Sequence, residues 1–413
     1  MQRWSSAPLD LVWLVSLSVR GSYMTMRKVG AGARRMLLAA AAEEFGVPVE
    51  ELRTEAARVH HDGSGQSAGY GALAAGAAEK TPPEDPPLKD PAEFTRIGQS
   101  PGRTDSLAKS TGRAGFGIDV LVDNMRFAAV RHAPSFGAIV ESIDESTLDG
   151  LPGNPRAVDL GNAVGVVADS FWRAKKAAEA LSVTWTGGAS DLSSEGLIEA
   201  AVARLDETGI EAEAEGDARA AIAGADRTLA ADYVQPFLAH ATMEPQNCTA
   251  WVREDACDIW APNQGADFVA GLAQEVTDLP PEAISVHTPF LGGGFGRRFV
   301  LDYAGQALRL SMADGGPVKV VWTREEDIRN DYYRPMAALR LRGGLDAEGR
   351  PVGLLVTTVT EGPGARLMPS LVQPNGLDPT SVEGLVKKPY RIDAKRTEMV
   401  NAGYDAVPIG FWR

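Results

Sequence analysis

The segment between residues 283 and 317 changes from an extended pattern to a helical pattern across a short run of glycines. Residues 283–291 (AISVHTPFL) are β-branched and apolar around Ile284, Val286 and Phe290, which predicts a short strand entering the core. After the glycines, apolar positions recur at helical spacing from Phe299 to Ser311, and the pattern stops at residues 314–317 (DGGP), an ending typical of a helix C-terminus. The segment is therefore predicted to form a strand, a glycine turn and a helix.

The first quarter of the chain has a simpler pattern. Residues 31–45 are rich in alanine and predict a helix that ends before Gly46 and Pro48. A second short helical pattern begins near Val49. From residue 76 to residue 102, closely spaced prolines alternate with charged residues, which favours an extended linker over a regular core element.

The remainder mixes helical and extended patterns, so we predict a mixed α/β chain of the α+β class. The boundaries give a helical N-terminal segment, a proline-rich linker, a small α+β module and a longer mixed region, at residues 1–75, 76–110, 111–188 and 189–413. Within the small module, Asp169 is the expected cap of a helix over residues 170–180. Other predicted elements are strands at 126–132, 163–167 and 181–185, and a hairpin of residues 337–342 and 352–360 around the turn 346–349.

The glycine run contains the unusual charges. Gly292, Gly293, Gly294, Phe295 and Gly296 precede Arg297 and Arg298, and the two cations fall in the first helical turn, where the helix macrodipole disfavours positive charge. A phosphate on the free N–H groups of the turn would compensate them, because glycines let a ligand approach the backbone. The alternative is a tight turn with two solvated arginines. Neither the P-loop nor the GxGxxG motif is present.

Gln264 is a second candidate site residue. Apolar residues from Phe268 to Val276 form one helical stripe, which makes Asn263 a plausible N-cap and places Gln264 at the mouth of the helix. Simple solvation of Gln264 is the alternative that the sequence leaves open.

Other polar residues fit structural roles better than chemical ones. His240 is expected to be a satisfied core or loop histidine, with a place at a site edge as the alternative. Glu244 is expected to be structural or to line a channel. Glu325, Glu326 and Asp327 are predicted to lie at an exposed helix start after Thr323, because adjacent carboxylates do not share a helix face.

Composition narrows the classes of function. The 413 residues suffice for two or three domains, and 44% hydrophobic with 23% charged residues is ordinary for globular protein. The net charge of −14 argues against general nucleic-acid binding. Cys248 and Cys257 are the only cysteines, so the chain cannot supply four ligands to an iron–sulfur cluster; buried thiols are favoured over a disulfide. No stretch has the length of a membrane span, and Asp10 interrupts the signal-like segment 9–19, leaving a soluble cytoplasmic or periplasmic location open.

Four stretches in order resemble the molybdenum hydroxylases, the xanthine dehydrogenase and aldehyde oxidase family. Within it, the likeness is greatest to the large (beta) subunits of the isoquinoline 1-oxidoreductase group and their bacterial aldehyde-oxidising relatives, from about residue 18 to residue 413. The stretches are HATMEPQNC at 240–248, WAPNQ at 260–264, FLGGGFGRRF at 290–299 and PVKVVWTREE at 317–326. Further similar pieces are MRKVGAGAR at 26–34, PLKDP at 87–91 and TGRAGFGID at 111–119.

The resemblance implies specific cofactor contacts. The glutamine matching Gln264 hydrogen-bonds an oxygen ligand of the molybdenum, and the backbone matching Gly293 to Gly296 lies against the pterin and the metal. The expected cofactor-binding residues of the loop are therefore Gly292, Gly293, Gly294, Phe295, Gly296, Arg297 and Arg298. Arg413 matches the arginine of a further cofactor loop. No residue is expected to ligate the metal directly, and residues 111–188 and 189–413 match a hammerhead-like domain and an incomplete first molybdopterin-binding domain.

The family's chemistry then sets the expected function. The resemblance implies molybdopterin cytosine dinucleotide as cofactor, hydroxylation of N-heteroaromatics or oxidation of aldehydes with water, and electron transfer to 2Fe-2S clusters on a small partner subunit. The family's general-base glutamate lies beyond Arg413, so we expect a fragment that is inactive alone and contains no catalytic residue. The alternatives are a phosphate-binding, nucleotide-binding or structural module without catalysis, and a decayed non-functional relative.

Overall fold

A computed structural model describes residues 18–412, which form two compact units, one up to Leu107 and one from Ala108. The signal-like segment lies almost wholly outside the described residues, and so does Arg413. No helix within 18–412 combines the length and apolar character needed to cross a bilayer. The first unit and the segment after it contain α1 (Ser18–Phe45), β1 (Leu52–Glu55), β2 (Arg58–His61), β3 (Gln66–Gly69), α2 (Tyr70–Ala78) and α3 (Ser106–Ser110).

The first unit is a helix–sheet layer. The helix predicted at 31–45 begins earlier, at Ser18, and ends at Phe45 as expected, followed by Gly46 with φ of 68°. The prediction of a second helix near Val49 is wrong, because only a 3-10 turn forms there before the antiparallel sheet β1-β2-β3. Leu38, Leu52, Val59 and Leu73 share the core of this unit. Strands β1, β2 and β3 are short and carry few apolar positions, so they could not be recognised from the sequence alone.

The second unit is mixed α/β, as predicted, with most of its helices packed on two large sheets. Its first elements are β4 (Arg126–His132), β5 (Ala138–Asp144), β6 (Arg156–Asp159), β7 (Ala163–Ala168), α4 (Phe171–Ala180), β8 (Ser182–Gly187), α5 (Ser194–Ala203), β9 (Ile210–Glu215), α6 (Ala218–Ala223), β10 (Arg227–Gln235), β11 (Asn247–Val252) and β12 (Cys257–Trp260). There follow α7 (Ala266–Thr277), β13 (Ile284–His287), α8 (Asp302–Asp314), β14 (Val318–Val321), α9 (Arg324–Arg329), β15 (Ala337–Leu345), β16 (Pro351–Thr360), α10 (Pro363–Leu367) and β17 (Ala394–Asn401).

A seven-stranded sheet in the order β13-β12-β11-β14-β4-β7-β6 carries the largest core. It contains strands from both sides of residue 189, because β4 pairs in parallel with β14. Helix α8 covers this sheet with Tyr303, Ala307, Leu308 and Leu310, all buried. A five-stranded sheet, β10-β15-β16-β17-β9, contains the predicted hairpin of β15 and β16, which is confirmed.

Several local predictions need correction. Ser170, and not Asp169, caps α4 by accepting a hydrogen bond from the Arg173 N–H. The strand expected over residues 283–291 is restricted to β13, and the helix after the glycines begins at Asp302, preceded by a 3-10 turn at Arg297–Phe299. Its predicted end is confirmed: Gly315 follows α8 in the left-handed conformation.

The helix start after Thr323 is also only partly as predicted. Thr323 caps α9 by accepting a hydrogen bond from the Glu326 N–H. Asp327, however, is buried and paired with Arg324 and Gln246, and burial raises its pKa against the opposing effect of the Gln246 hydrogen bond. Glu326 binds the ring of buried His132 at 2.7 Å. Glu326 and Asp327 therefore face the interior, whereas Glu325 is exposed as predicted.

Candidate functional site

The glycine loop, residues 292–298, lies at the edge of the seven-stranded sheet where two parallel strands end. Strands β12 and β13 run in parallel, with Trp260 opposite His287. Gln264 follows the first of these strands and the glycine loop follows the second, so the sheet brings the two sequence-predicted sites together. Carboxyl ends of adjacent parallel strands are a common location for ligand sites in α/β folds.

Gln264 is fixed by the glycine loop through one end of its amide. Its Oε1 accepts a hydrogen bond from the Gly296 N–H at 3.0 Å, and its backbone N–H donates to the Arg298 carbonyl at 3.1 Å. A Cβ on Gly294 would lie 2.5 Å from that Oε1, so the close approach requires glycine. Within residues 18–412 the Nε2 group donates to no acceptor, and the side chain is exposed. The amide therefore presents two N–H bonds beside the loop.

The expectation that Asn263 caps the following helix is wrong. Gly265 is the N-cap of α7, without a side-chain hydrogen bond. The Asn263 Oδ1 instead accepts from the Gly265 N–H at 2.8 Å, and its Nδ2 donates to the Ala261 carbonyl. This turn orients the backbone from which Gln264 projects.

Three consecutive carbonyl groups of the glycine loop are anchored on the protein. The Gly292 carbonyl accepts from the Glu244 N–H at 3.1 Å, the Gly293 carbonyl from Arg298 Nε at 3.0 Å, and the Gly294 carbonyl from the Arg297 N–H at 2.9 Å. In a trans peptide group the N–H and the carbonyl point in opposite directions. The N–H that follows each of these carbonyls therefore points away from the donor that binds the carbonyl. These N–H groups, of Gly293, Gly294 and Phe295, meet no acceptor in the described part of the chain.

The tip of the glycine loop has an unusual backbone. Gly293 and Gly296 both have φ of 105°, and Phe295 has φ of 54° with a side chain that is 56% exposed. A non-glycine residue in the left-handed region costs about 1–2 kcal/mol, and such strain is concentrated at functional sites. Phe295 therefore presents an aromatic ring and a free N–H at the same exposed position.

Gly296 is the point at which the loop meets the last described residues. A Cβ there would lie 1.9 Å from the Phe411 carbonyl oxygen and 2.5 Å from its carbon. The same carbonyl accepts a hydrogen bond from His240 Nε2 at 2.7 Å. The segment that leads to Arg413 is thus in contact with the glycine loop, although Arg413 itself lies outside the described residues.

Arg298 supports the loop from the protein interior. It is fully buried, and its guanidinium donates to the carbonyl and to the carboxylate of Glu244, at 2.8 and 3.1 Å. The Glu244 carboxylate also accepts from the N–H groups of Gly292 and Ile118, at 2.7 and 2.8 Å, and from Asn247 Nδ2 at 3.0 Å. With four hydrogen bonds from the protein, this carboxylate acts as a structural hub, one of the two roles expected for it.

Arg297 is held by a different set of carboxylates from Arg298. Its guanidinium binds both carboxylate oxygens of Asp302 at 2.9 Å and approaches Asp331, whose carboxylate also contacts the ring of His240 at 3.0 Å. Burial acts to lower the pKa of Arg297, but Asp302 and then Asp331 outweigh it and raise the pKa above its usual value. His240 is buried and bonded at both ring nitrogens, which agrees with the core histidine expected from sequence.

The interpretation of Arg297 and Arg298 as two solvated arginines is therefore wrong. Arg297 is 1% exposed and Arg298 is 0% exposed, so neither is solvated. Their charge is compensated by Asp302, Asp331 and Glu244, and no phosphate is needed for it. Sequence reasoning could not identify Asp331 as a partner of these arginines, because Asp331 stands 33 residues beyond Arg298. It also follows the closely spaced charged residues of α9, among which it does not stand out. The TGRAGFGID stretch did contain a clue, since Ile118 within it binds Glu244.

The two cysteines are separate from this site. Both are buried and neither forms a disulfide. Burial raises the pKa of Cys248 far above its usual range and raises the pKa of Cys257 to about 11. Among the described residues, no cluster of three His, Cys, Asp or Glu side chains is arranged to hold a metal ion.

Inert thiols give a direct test of the core. We expect neither cysteine to react with a thiol reagent such as Ellman's reagent in the native chain at pH 8, because a raised pKa and burial both withhold the thiolate. Both should react within minutes in denaturant. Fast labelling of one cysteine without denaturant would contradict the packing of β11 and β12.

Solved structures share this fold. Quinoline 2-oxidoreductase from Pseudomonas putida 86 superposes with a TM-score of 0.59 at 20% identity, covering 77% of this chain and 46% of that chain. Aldehyde oxidoreductase from Desulfovibrio gigas superposes with a TM-score of 0.58 at 18% identity, covering 75% and 39%. The fold is therefore that of the molybdenum hydroxylases.

Sequence relatives give the family. The beta subunit of isoquinoline 1-oxidoreductase from Brevundimonas diminuta is 28% identical over 394 residues, covering 84% of this chain and 50% of the relative. A nicotinate dehydrogenase subunit from Pseudomonas putida is 28% identical over 355 residues, covering 83% and 30%. The chain thus spans half the length of these relatives or less. The molybdopterin cofactor-binding domain family matches residues 203–411, and the chain belongs to that family.

Proposed function

We propose that the glycine loop and Gln264 form a binding surface for a molybdenum-bearing molybdopterin cofactor, in its cytosine dinucleotide form. The whole protein would be an oxidoreductase that hydroxylates N-heteroaromatics or oxidises aldehydes, with water as the oxygen source. The family match and the names of the relatives, which include isoquinoline, nicotinate and aldehyde oxidoreductases, support this assignment. The loop geometry adds support that does not depend on those names.

The three free N–H groups of Gly293, Gly294 and Phe295 carry the proposal. Buried or half-buried backbone donors are almost always satisfied, and Gly293 is half-buried and Gly294 is buried, so their free N–H groups, followed by that of exposed Phe295, call for a ligand with acceptor oxygens. Gln264 Nε2 adds a fourth donor at the position where the family resemblance implies contact with a metal-bound oxygen. The cofactor's acceptor oxygens fit this donor set.

The chain's own residues would bind and orient the group. The loop N–H groups and Gln264 Nε2 would hold acceptor oxygens of the group, and the exposed Phe295 ring would offer it an apolar contact. When bound, the cofactor supplies a metal that lowers the pKa of coordinated water and accepts an electron pair. Arg297 and Arg298 keep the loop rigid without contacting the ligand, because their donors are committed to protein oxygens.

Electron transfer would require a partner. A 2Fe-2S cluster requires four protein ligands, usually cysteines, and the only two cysteines of this chain are buried in its core. The relatives are named as subunits of larger enzymes. We therefore propose that electrons pass to a small iron–sulfur subunit.

The domain assignment follows the same proposal. The region 189–413 would be the cofactor-binding domain, which agrees with the family match at 203–411. The region 111–188 would be the hammerhead-like module, joined to the former through the shared sheet of β4 and β14. Residues 1–75 would be a separate N-terminal segment, whose described part contains a three-stranded sheet as well as helices, and residues 76–110 would be the linker.

Cofactor loading tests the proposal. The chain is produced in cells that make the cofactor, and its molybdenum, pterin and released nucleotide are quantified by mass spectrometry and chromatography. We expect equimolar molybdenum and cytidine monophosphate. A folded chain that retains neither would overturn the proposal, and nucleotide without molybdenum would favour the nucleotide-binding alternative. Guanosine monophosphate in place of the cytidine nucleotide would contradict the dinucleotide assignment alone.

Gln264→Ala separates binding from folding. The substitution removes the fourth donor and the acceptor of the Gly296 N–H, so we expect the retained molybdenum to fall at least severalfold. The free energy of unfolding should change by about 1 kcal/mol or less, because the side chain is exposed and makes one neutral hydrogen bond. Gln274→Ala, on α7 and away from the loop, is the matched control. Equal molybdenum content in the two variants would remove Gln264 from the site.

A further inference from the structure

The first unit contains a cavity that none of the functions above uses. It has a volume of about 240 Å³ and lies between α1 and residues 87–97. Gly30 and Ala31 form part of its floor, and a Cβ on Gly30 would meet no atom within 4 Å, so the space above it is open. Arg27 and Arg34 line it from the flanking turns of α1.

The charge of this cavity is opposite to that of the chain. Its lining carries four cations, Arg27, Arg34, Lys89 and Arg96, against one acidic residue, Glu93, in a chain with a net charge of −14. None of the four cations forms an ion pair with a carboxylate among residues 18–412. The Glu93 carboxylate is engaged elsewhere, since it accepts from the Asp90 N–H at 2.8 Å.

Other cations of the same unit do find partners. Lys28 pairs with Asp85, Lys80 with Glu43, and Arg53 with both Asp62 and Glu55. Four like charges gathered around one cavity repel one another unless an anion lies between them. The contrast within one unit indicates that the cluster serves a ligand.

Two of the cations are also held in place. The Arg27 guanidinium donates to the Lys89 carbonyl at 2.7 Å and lies over the rings of Tyr23 and Phe94, 5.4 and 5.1 Å from their centroids. Arg34 donates from Nε to Thr54 Oγ1 at 2.7 Å, which leaves its two terminal nitrogens available. Guanidinium groups fixed in this way bind oxyanions with little loss of side-chain entropy.

We propose that this cavity, lined by Arg27, Arg34, Lys89 and Arg96, binds a multiply charged oxyanion of the phosphate class. The proposal is independent of the cofactor site, because all its residues belong to the first unit. The ligand is either free inorganic phosphate or pyrophosphate, or the phosphoryl group of an organic phosphate ester.

Titration calorimetry of the full chain with inorganic pyrophosphate tests the site. We expect a dissociation constant of about 1 mM or tighter at low salt, weakened by added sodium chloride. The double substitution Lys89→Ala with Arg96→Ala should weaken binding about tenfold or more, since it removes two exposed cations from the lining of the cavity. The double substitution Arg35→Ala with Arg391→Ala removes the same charge outside the cavity and should leave binding unchanged.

The outcomes separate the site from its rivals. Absence of binding, or equal loss in both double variants, overturns the proposal. Unchanged binding after Lys89→Ala with Arg96→Ala also overturns it, because the anion then binds elsewhere, for example at the glycine loop. If the pyrophosphate titrations give the expected results, a nucleoside diphosphate is titrated next to identify the kind of ligand. Binding tighter than that of pyrophosphate indicates an organic phosphate ester. Equal or weaker binding indicates the free inorganic anion.

Discussion

Gly296→Ala is expected to abolish cofactor retention and to destabilise the second unit by several kcal/mol. The new Cβ would lie 1.9 Å from the Phe411 carbonyl oxygen, and it would be attached to a residue with φ of 105°. Two backbone segments would have to separate, which disrupts the hydrogen bonds of Gly296 with Gln264 and of Phe411 with His240. Effects above about 4 kcal/mol are reserved for such backbone and core lesions.

The measurement is urea unfolding together with molybdenum content after cofactor loading. Gly315→Ala is the matched control, because Gly315 also has a positive φ, of 79°, but a Cβ there would meet nothing within 4 Å. The control should show only the conformational cost of about 1 kcal/mol. Similar losses for the two variants would mean that the contact between the glycine loop and Phe411 does not exist in solution.

Arg298→Met is expected to have the second-largest effect. It keeps the apolar stem but removes the charge that faces Glu244, leaving a carboxylate with a 5% exposed side chain without its cation. Breaking a buried pair by removing one partner costs about 3–5 kcal/mol. The Gly293 carbonyl also loses its anchor at 3.0 Å, so the direction of the Gly294 N–H should be lost and cofactor retention should fall with stability.

Arg340→Met provides the comparison for a surface ion pair. Arg340 binds Asp206 and Asp232, whose side chains are 72% and 41% exposed, so its removal should cost about 1 kcal/mol or less. Unfolding in urea at pH 7 and at low salt measures both variants. If Arg298→Met were no more costly than Arg340→Met, the buried assignment of the Arg298–Glu244 pair would be incorrect.

The sequence predicted what depends on local pattern and on unusual composition. The hairpin of β15 and β16 and the Gly315 helix end could both be predicted from the order of residues. The glycine run and Gln264 could be proposed as site residues because of their unusual composition, their position before a helix and their place within family stretches. These features require no knowledge of distant neighbours.

The rest depends on contacts between distant segments. The partners of Arg297 and Arg298 could not be predicted, because Glu244 and Asp331 come from a preceding loop and a following helix end, and only the folded sheet brings them together. The three-stranded sheet of the first unit was missed because its strands have four residues each and little apolar alternation. Asp327 in α9 was predicted to be exposed although it is buried, because its partner Gln246 is distant in the sequence.

The anchoring of three successive carbonyls has a consequence for the order of events in assembly. The hydrogen bonds that anchor the Gly292, Gly293 and Gly294 carbonyls come from the chain itself, so we expect the loop to acquire its geometry when the second unit folds. A rigid receptor loses little entropy on binding. Insertion of the cofactor should therefore follow folding. The hydrogen-bonded amides of Gly292, Gly296 and Arg297 should exchange slowly before insertion, whereas the amides of Gly293, Gly294 and Phe295 should become protected only after it.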